Sequence, residues 1–229
     1  MPRYEIKSHL TDEVIYGENF STMYTPQRNM ATLVERAVRR GIDLTGADLS
    51  FLNLSDTNLR GAKLARAKLD NSMVIYANLE GANLMEASLR NTNMHGSILS
   101  KANLARAGLT RTQFVFAVLE NANLHRAELL DVNFSKTNLT GTKYKGVALG
   151  RCGAVAQAKR SDMYNFQLIH CADGKWRVMA GCRWFTLPQA WKHWEDTRRH
   201  TDLGEETYDI LVMFEHQAAR MDKKLAGVR

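Results

Sequence analysis

The side chains best equipped for chemistry gather in the last third of this 229-residue chain. All three cysteines are there, Cys152, Cys171 and Cys182, with His170 and His193 nearby in sequence. A protein zinc site announces itself most strongly by two cysteines set two to four residues apart. Here ten residues separate Cys171 from Cys182, so burial in a core is the better reading of these thiols, and no metal is expected. Cys182 and His193 have the residue types of a thiol nucleophile and its base, but nothing in their spacing orients one toward the other. Trp176, Trp184, Trp191 and Trp194 are interleaved with Arg177 and Arg183. That mixture suits a stacking pocket for a small molecule or nucleotide, made from Cys182, Arg183, Trp184, His193 and Trp194. It equally suits a small unit that fills its core with large rings. No glycine-rich phosphate loop, HExxH, GxSxG or paired-carboxylate signature occurs. The expectation is a protein without catalytic residues or cofactor, and not an enzyme.

What precedes this segment is periodic. From residue 44 to residue 149 every fifth position, 22 in all, is Leu or a close substitute. Seventeen are Leu, and the rest are Val74, Met94, Phe114, Phe134 and Tyr144. Two residues before most of them sits a small or short side chain, most often Ala, as at Ala62, Ala82, Ala102 and Ala122. A period of five fits neither a helix face nor a strand face. It requires a chain that turns a corner at every pentapeptide and buries two side chains of each. Val74, Met94, Phe114 and Phe134 recur at every fourth pentapeptide, so a coil of four pentapeptides stacks them in one bulky inner column.

The pattern A-[DN]-L-x-x, as in Ala47-Asp48-Leu49, Ala82-Asn83-Leu84 and Ala102-Asn103-Leu104, resembles the pentapeptide-repeat family. The resemblance covers about half of the chain. It implies a right-handed quadrilateral β-helix, mainly β in class, and the handedness comes from the resemblance alone. Some relatives of this kind confer quinolone resistance and resemble a duplex DNA rod in shape and negative charge. Here the repeats carry 12 Lys/Arg against nine Asp/Glu, so the electrostatic half of a gyrase-directed mimicry fails. The run Ala180-Gly181-Cys182-Arg183-Trp184-Phe185-Thr186 looks like a segment that follows pentapeptide repeats in some bacterial and phage proteins. That run carries no activity of its own; the alternative reading is a small-molecule or nucleotide binder with the Trp/Arg-rich unit as its pocket, which in a bacterial or phage setting means sequestering a signal in defence or counter-defence.

Three segments are expected. Residues 1–41 read as an N-terminal cap, with two short strands and then a helix opened by Thr25-Pro26 and closed by Gly41. Residues 42–150 read as the coil, and residues 151–229 as a small α+β unit. In that unit a hairpin turns at Asp173-Gly174, and Thr186 to Gln189 is a capping box. A second helix there carries Leu211, Phe214, Ala218, Met221 and Leu225 as an apolar seam, which needs a sheet or a second chain to cover it. Asn83, Asn103 and Asn123 stack on one wall, and Asn53, Asn93 and Asn133 on another, as candidate amide ladders.

The wall that holds Val74, Met94, Phe114 and Phe134 inside is apolar outside too. Met73, Ile75, Tyr76, His95, Val115 and Phe116 lie on it, with Ile98 and Val118 on the next wall. A contiguous apolar patch on a polar rod marks an interface. The expected partner is another protein or a second copy in a homodimer, unless the cap or the C-terminal unit folds over the patch. Outward Arg60, Lys63, Lys68, Arg90, Arg111, Lys136 and Lys143 would suit phosphates, but with acids interspersed they read as a solvated face, and nucleic acid is not expected. The net charge of +7 is spread evenly along the chain. With no apolar run near the roughly 20 residues of a membrane span, no secretory segment at the start and an odd cysteine count, the expectation is a reduced, cytoplasmic setting.

Overall fold

Every fifth residue from 41 to 141 has a positive φ, between 53° and 71°. The structure, a computed structural model, describes residues 1–20, 23–144, 147–162, 164–171, 173–181, 183–198 and 201–226. Gly41 closes the helix before the coil, and from residue 46 on each positive-φ residue is the third of a four-residue turn. In the first turn Ala47 N donates to Leu44 O at 3.0 Å and Gly46 takes φ 71°. That is the backbone of a type II turn, and its repetition makes the corners. Between corners the central Leu and the residue two before it point inward; the central residues are buried, and so are the second ones apart from half-buried Ile42 and Leu52.

Parallel bridges join each residue to its counterpart four pentapeptides on, along four rows. One runs Asp43, Lys63, Asn83, Asn103, Asn123, Lys143, and another Asn53, Met73, Asn93, Gln113, Asn133. The chain is therefore a four-walled solenoid in which four pentapeptides make one turn. Phe114 lies in the inner column between Met94 and Phe134: Met94 N donates to Gln113 O and Phe114 N to Asn133 O, both at 2.8 Å. The Phe114 and Phe134 rings stack 5.5 Å apart at 5°. Where the second inward position is Ser or Thr instead of Ala, its hydroxyl is satisfied. Thr92 donates to Leu69 O at 2.7 Å and Thr137 to Phe114 O at 2.6 Å, so the buried polar group carries no desolvation penalty.

Both ends of the coil carry peptide groups with no next turn to meet, and each end is closed by a substitute. At the start, β1 (Arg3–Lys7) and β2 (Val14–Asn19) form a hairpin, and α1 (Pro26–Arg39) follows with Thr25 as its N-cap. Asp48 N donates to Lys7 O at 2.8 Å, and Asn58 N to the Glu35 carboxylate at 2.7 Å. Leu33, Val34 and Ala37 of α1 are buried in the same core as the first turns of the coil. At the far end the wall runs straight on into a second sheet. Lys143 bridges Asn123 within the coil and also pairs with Ala148. β3 (Lys143–Tyr144), β4 (Val147–Lys159), β5 (Asn165–Cys171), β6 (Trp176–Ala180) and β7 (Arg183–Thr186) form an antiparallel meander in that order. The boundary expected at residue 150 falls inside β4.

This sheet is buried on both faces. Ile169, Cys171, Met179 and Trp184 pack into the solenoid core. Phe166, Leu168, Trp176, Val178 and Ala180 face α2 (Leu187–Arg198) and α3 (Asp202–Ala226). Gln167 makes the join. Phe134 N donates to its Oε1 at 3.0 Å, and its Nε2 donates to Val132 O. In every earlier turn those two groups meet the next coil's peptide, as Met94 N and Ser72 O do, so the Gln167 amide stands in for a turn that the chain does not make. The α3 seam of Leu211, Phe214 and Ala218 is covered by the sheet rather than by a second chain. No helix among the described residues is long and apolar enough to cross a membrane.

Candidate functional site

The outward residues of the bulky wall form a ladder across four turns. Tyr76 and Phe116 occupy corner positions at φ 55° and 59°, where a bulky side chain is uncommon. The Tyr76 ring lies over Gly96: a Cβ there would come within 2.3 Å of the ring, and Gly96 itself has φ 65°. Glycine is thus required twice over, by the backbone angle and by the ring above it. His95 stands edge-on to Tyr76 at 5.6 Å and to Phe116 at 5.4 Å. Lys136 Nζ sits 4.8 Å from the Phe116 centroid, a cation–π contact that closes the ladder. Tyr76 remains 60% exposed and Phe116 50%. Met73 and Ile98 beside them are exposed, and Ile75, Val115 and Val118 half-buried. Neither the N-terminal cap nor the C-terminal sheet covers these residues; both pack on the ends of the coil.

The remaining walls are mostly polar, with Phe51, Met85 and Leu130 exposed singly on them, and part of their charge is paired. Glu86 accepts from Arg66 Nε at 3.0 Å and from Arg106 Nη1 at 3.2 Å, and these bonds hold its carboxyl below the usual range. Arg60 meets Glu80 at 3.2 Å. Arg90 and Arg111 approach Glu128 and Asp131 at 3.9 and 4.0 Å. Of the seven outward cations that would suit phosphates, these three face acids and Lys136 serves the aromatic ladder. The Asn83, Asn103 and Asn123 ladder forms, with amide-to-amide bonds of 3.2 and 3.1 Å. On the other wall Met73 and Gln113 interrupt the row, and only the Gln113–Asn133 rung, at 3.1 Å, is made among the described residues.

In the C-terminal unit the candidate pocket residues are divided by β7. Strand alternation sends Trp184 to the coil side, where it stands edge-on to Tyr144 at 5.3 Å. Phe185 turns to the helix side, stacked on His193 at 4.9 Å and packed against Trp194 at 5.2 Å. Arg183 contacts His193 through its guanidinium. Arg183, His193 and Trp194 are thus gathered, Trp184 is not, and Cys182 lies outside the described residues. Cys171 is buried, and burial pushes its thiol up, with Arg177 partly opposing. His170, on the other face of the same strand, stacks on Trp176 at 4.7 Å. Among the described residues no His, Cys, Asp and Glu converge on a metal position. A cleft of about 570 Å³ does open between α2 and α3, lined by residues that include Trp191, Trp194 and Tyr208.

A coil of four pentapeptides per turn, with a corner at each, defines a four-walled β-solenoid. Residues 42–141, a little under half of the chain, match the model of one family, pentapeptide repeats, in eight copies over 42–74, 74–106 and 102–141. Among solved structures the chain is similar to a pentapeptide repeat protein from the thylakoid lumen of Arabidopsis thaliana. That match is 29% identical, covers 44% of this chain and 63% of that one, and has a TM-score of 0.32. It is also similar to HetL, a pentapeptide repeat protein involved in heterocyst differentiation regulation in the cyanobacterium Nostoc, at 26% identity over 44% and 59% of the two chains, TM-score 0.24. A third is QnrB1, a plasmid-mediated fluoroquinolone resistance protein, at 18% identity over 43% and 58%, TM-score 0.24. The chain spans less than two thirds of the length of each of these three, and TM-scores of this size carry no functional argument. No curated protein matches the sequence.

Proposed function

We propose that this protein is a non-enzymatic binding rod whose aromatic wall engages a protein partner, in the first place a second copy of the same chain. The observation that carries the reading is the ladder Tyr76–His95–Phe116–Lys136. It lies exposed in the middle of a coil whose two ends are closed by its own cap and sheet. Tyr76 and Phe116 stand at positive φ as the other corners do, but unlike the lone Phe51 they lie on one wall, bridged by His95 and flanked by Met73 and Ile98. A contiguous surface left apolar and outward fits a role outside folding. Two such rings on a firm wall also have the character of interface anchors, which are enriched in aromatics and bring little rotamer entropy to lose. A solenoid of this kind offers a rigid, flat wall, so the partner need not pay for ordering it.

The test is the double substitution Tyr76→Ser with Phe116→Ser, followed by sedimentation velocity and circular dichroism. The expected result is loss of self-association by about tenfold or more in Kd, the size of a hot-spot effect, with an unchanged spectrum and melting curve. Unaltered association in a folded variant would remove this wall from consideration.

A further inference from the structure

The residues stacked along the aromatic corner of the rod read nearly the same in both directions. Asp56 N donates to Ile75 O, Tyr76 N to His95 O, Gly96 N to Val115 O and Phe116 N to Ser135 O. These bonds set Asp56, Tyr76, Gly96, Phe116 and Lys136 in one column and Ser55, Ile75, His95, Val115 and Ser135 in the column beside it. Counted outward from the turn of His95 and Gly96, a ring is matched by a ring, a branched aliphatic by a branched aliphatic and a serine by a serine. The exception in these two columns is the outermost pair. Asp56 is matched by Lys136, so the charge inverts where the rest repeats. In the flanking rows the ends match, while Met73 with Gln113 and Asn78 with Val118 do not.

We propose that two copies of the chain meet on this corner antiparallel, about a two-fold axis at the His95–Gly96 turn, with Asp56 of each copy paired to Lys136 of the other. This arrangement rests on the reading of the aromatic wall as the self-association surface, and it fixes the orientation there. Two rods facing each other across a two-fold axis run either parallel or antiparallel. With the corner column at the centre of the contact, it faces the same column of the second copy in both cases. The parallel arrangement sets Asp56 against Asp56 and Lys136 against Lys136, which repels at both ends. The antiparallel one reverses the order, so that Tyr76 meets Phe116, Ile75 meets Val115 and each Asp56 meets a Lys136. The rings accept either orientation, and the charges decide between them.

Both charges are available for this. At ~4.8 Å per turn, Asp56 and Lys136 of one chain stand roughly 19 Å apart, beyond the ~8 Å over which salt screens them, so they do not neutralise each other. Both are exposed, and neither makes an ion pair among the described residues. Arg28, the cation that lines the cleft beside Asp56, holds its guanidinium over the Tyr24 ring at 5.1 Å. Lys136 stays against the Phe116 ring at 4.8 Å, which keeps its charge at the edge of the apolar patch. A two-fold contact uses the same patch on both copies, so the assembly is closed at two chains.

The experiment measures self-association of the full chain by sedimentation velocity for the parent, Asp56→Lys, Lys136→Asp and the double reversal that combines them. Corners of this coil already hold Lys101 at φ 61° and Asp131 at φ 53°, so both replacements suit the backbone, and circular dichroism checks the fold. Each single reversal turns two attractive pairs into two repulsive ones and should weaken the dimer about tenfold or more in Kd. The double reversal restores the pairing and should return Kd to within about threefold of the parent. Asp56→Lys raises the net charge of +7 and Lys136→Asp lowers it. A global charge effect would therefore move the two variants in opposite directions, whereas the antiparallel register weakens both. A folded Asp56→Lys that associates as the parent does overturns the register, and so does a double reversal no tighter than the single ones. If Tyr76→Ser with Phe116→Ser still abolishes association, only the register is lost and the surface stands. If that serine variant associates as the parent does, or the parent is monomeric, the surface is wrong and the register falls with it.

Discussion

Phe114 and Phe116 are near neighbours in sequence and do opposite things. Phe114 points inward and is stacked on Phe134, while Phe116 sits on a corner at φ 59°, half exposed between His95 and Lys136. Phe114→Ala empties a ring-sized volume from a rigid column and should cost about 3–5 kcal/mol, read as a lower urea midpoint. Phe116→Gly should raise the melting temperature instead. It relieves a left-handed conformation that costs an ordinary residue about 1–2 kcal/mol, more than the roughly 0.5–1 kcal/mol of extra chain entropy that glycine brings. A stabilised Phe116→Gly variant that associates less well would be the mark of a residue kept for binding. A destabilised one would mean that Phe116 serves the fold. The inward list was legible in sequence because one side-chain class recurs at one spacing. The corner angle was not. Arg, Asn, Asp, Lys, Glu, Tyr and Phe share that position with glycine, and all adopt the same φ because the bonds between turns leave no other. Lys136 was likewise legible only as a cation, since its contact is with a ring four pentapeptides back along the chain and directly below it in space.

At the scale of elements the account rests on how the coil ends. Gln167 is a β5 residue whose amide mimics the peptide of an absent turn, accepting from Phe134 N and donating to Val132 O. Gln167→Leu keeps the volume but strands a buried donor and a buried acceptor. Each unsatisfied group costs about 1–3 kcal/mol, so a fall in stability of that order should appear in urea denaturation. No change would mean that water or backbone reaches those groups and that the sheet is only leaning on the coil. The hairpin at Asp173-Gly174, the helix after Thr25-Pro26 and the capping box at Thr186 were readable because turn and cap residues act locally. Gln189 Oε1 accepts from Thr186 N at 2.9 Å, as that motif requires. β4 was not readable. Its Val-Ala-Leu-Gly-Arg-Cys-Gly-Ala stretch has weak strand propensity, and pairing with β3 and β5 makes it a strand. The cleft between α2 and α3 escaped notice for a different reason. Its rings and acids are spaced regularly on each helix, but which stripes face each other depends on the packing of both helices on the sheet.

For the whole molecule the arrangement is a short rod, closed at one end by a hairpin and helix and at the other by a sheet backed with two helices. Part of the charge on its walls is paired within the coil, as Glu86 is between Arg66 and Arg106. Its C-terminal seam is covered by its own sheet. The aromatic wall gathers exposed Met73, Tyr76 and Phe116 on one side of the closed rod, and self-association through it is the central claim. Sedimentation equilibrium of the unmodified chain tests this most directly. The account predicts a concentration-dependent rise from the monomer mass of 25.9 kDa toward twice that value, abolished by Tyr76→Ser with Phe116→Ser. A mass fixed at 25.9 kDa up to about 100 μM, well above the micromolar range expected of a specific dimer, would contradict it.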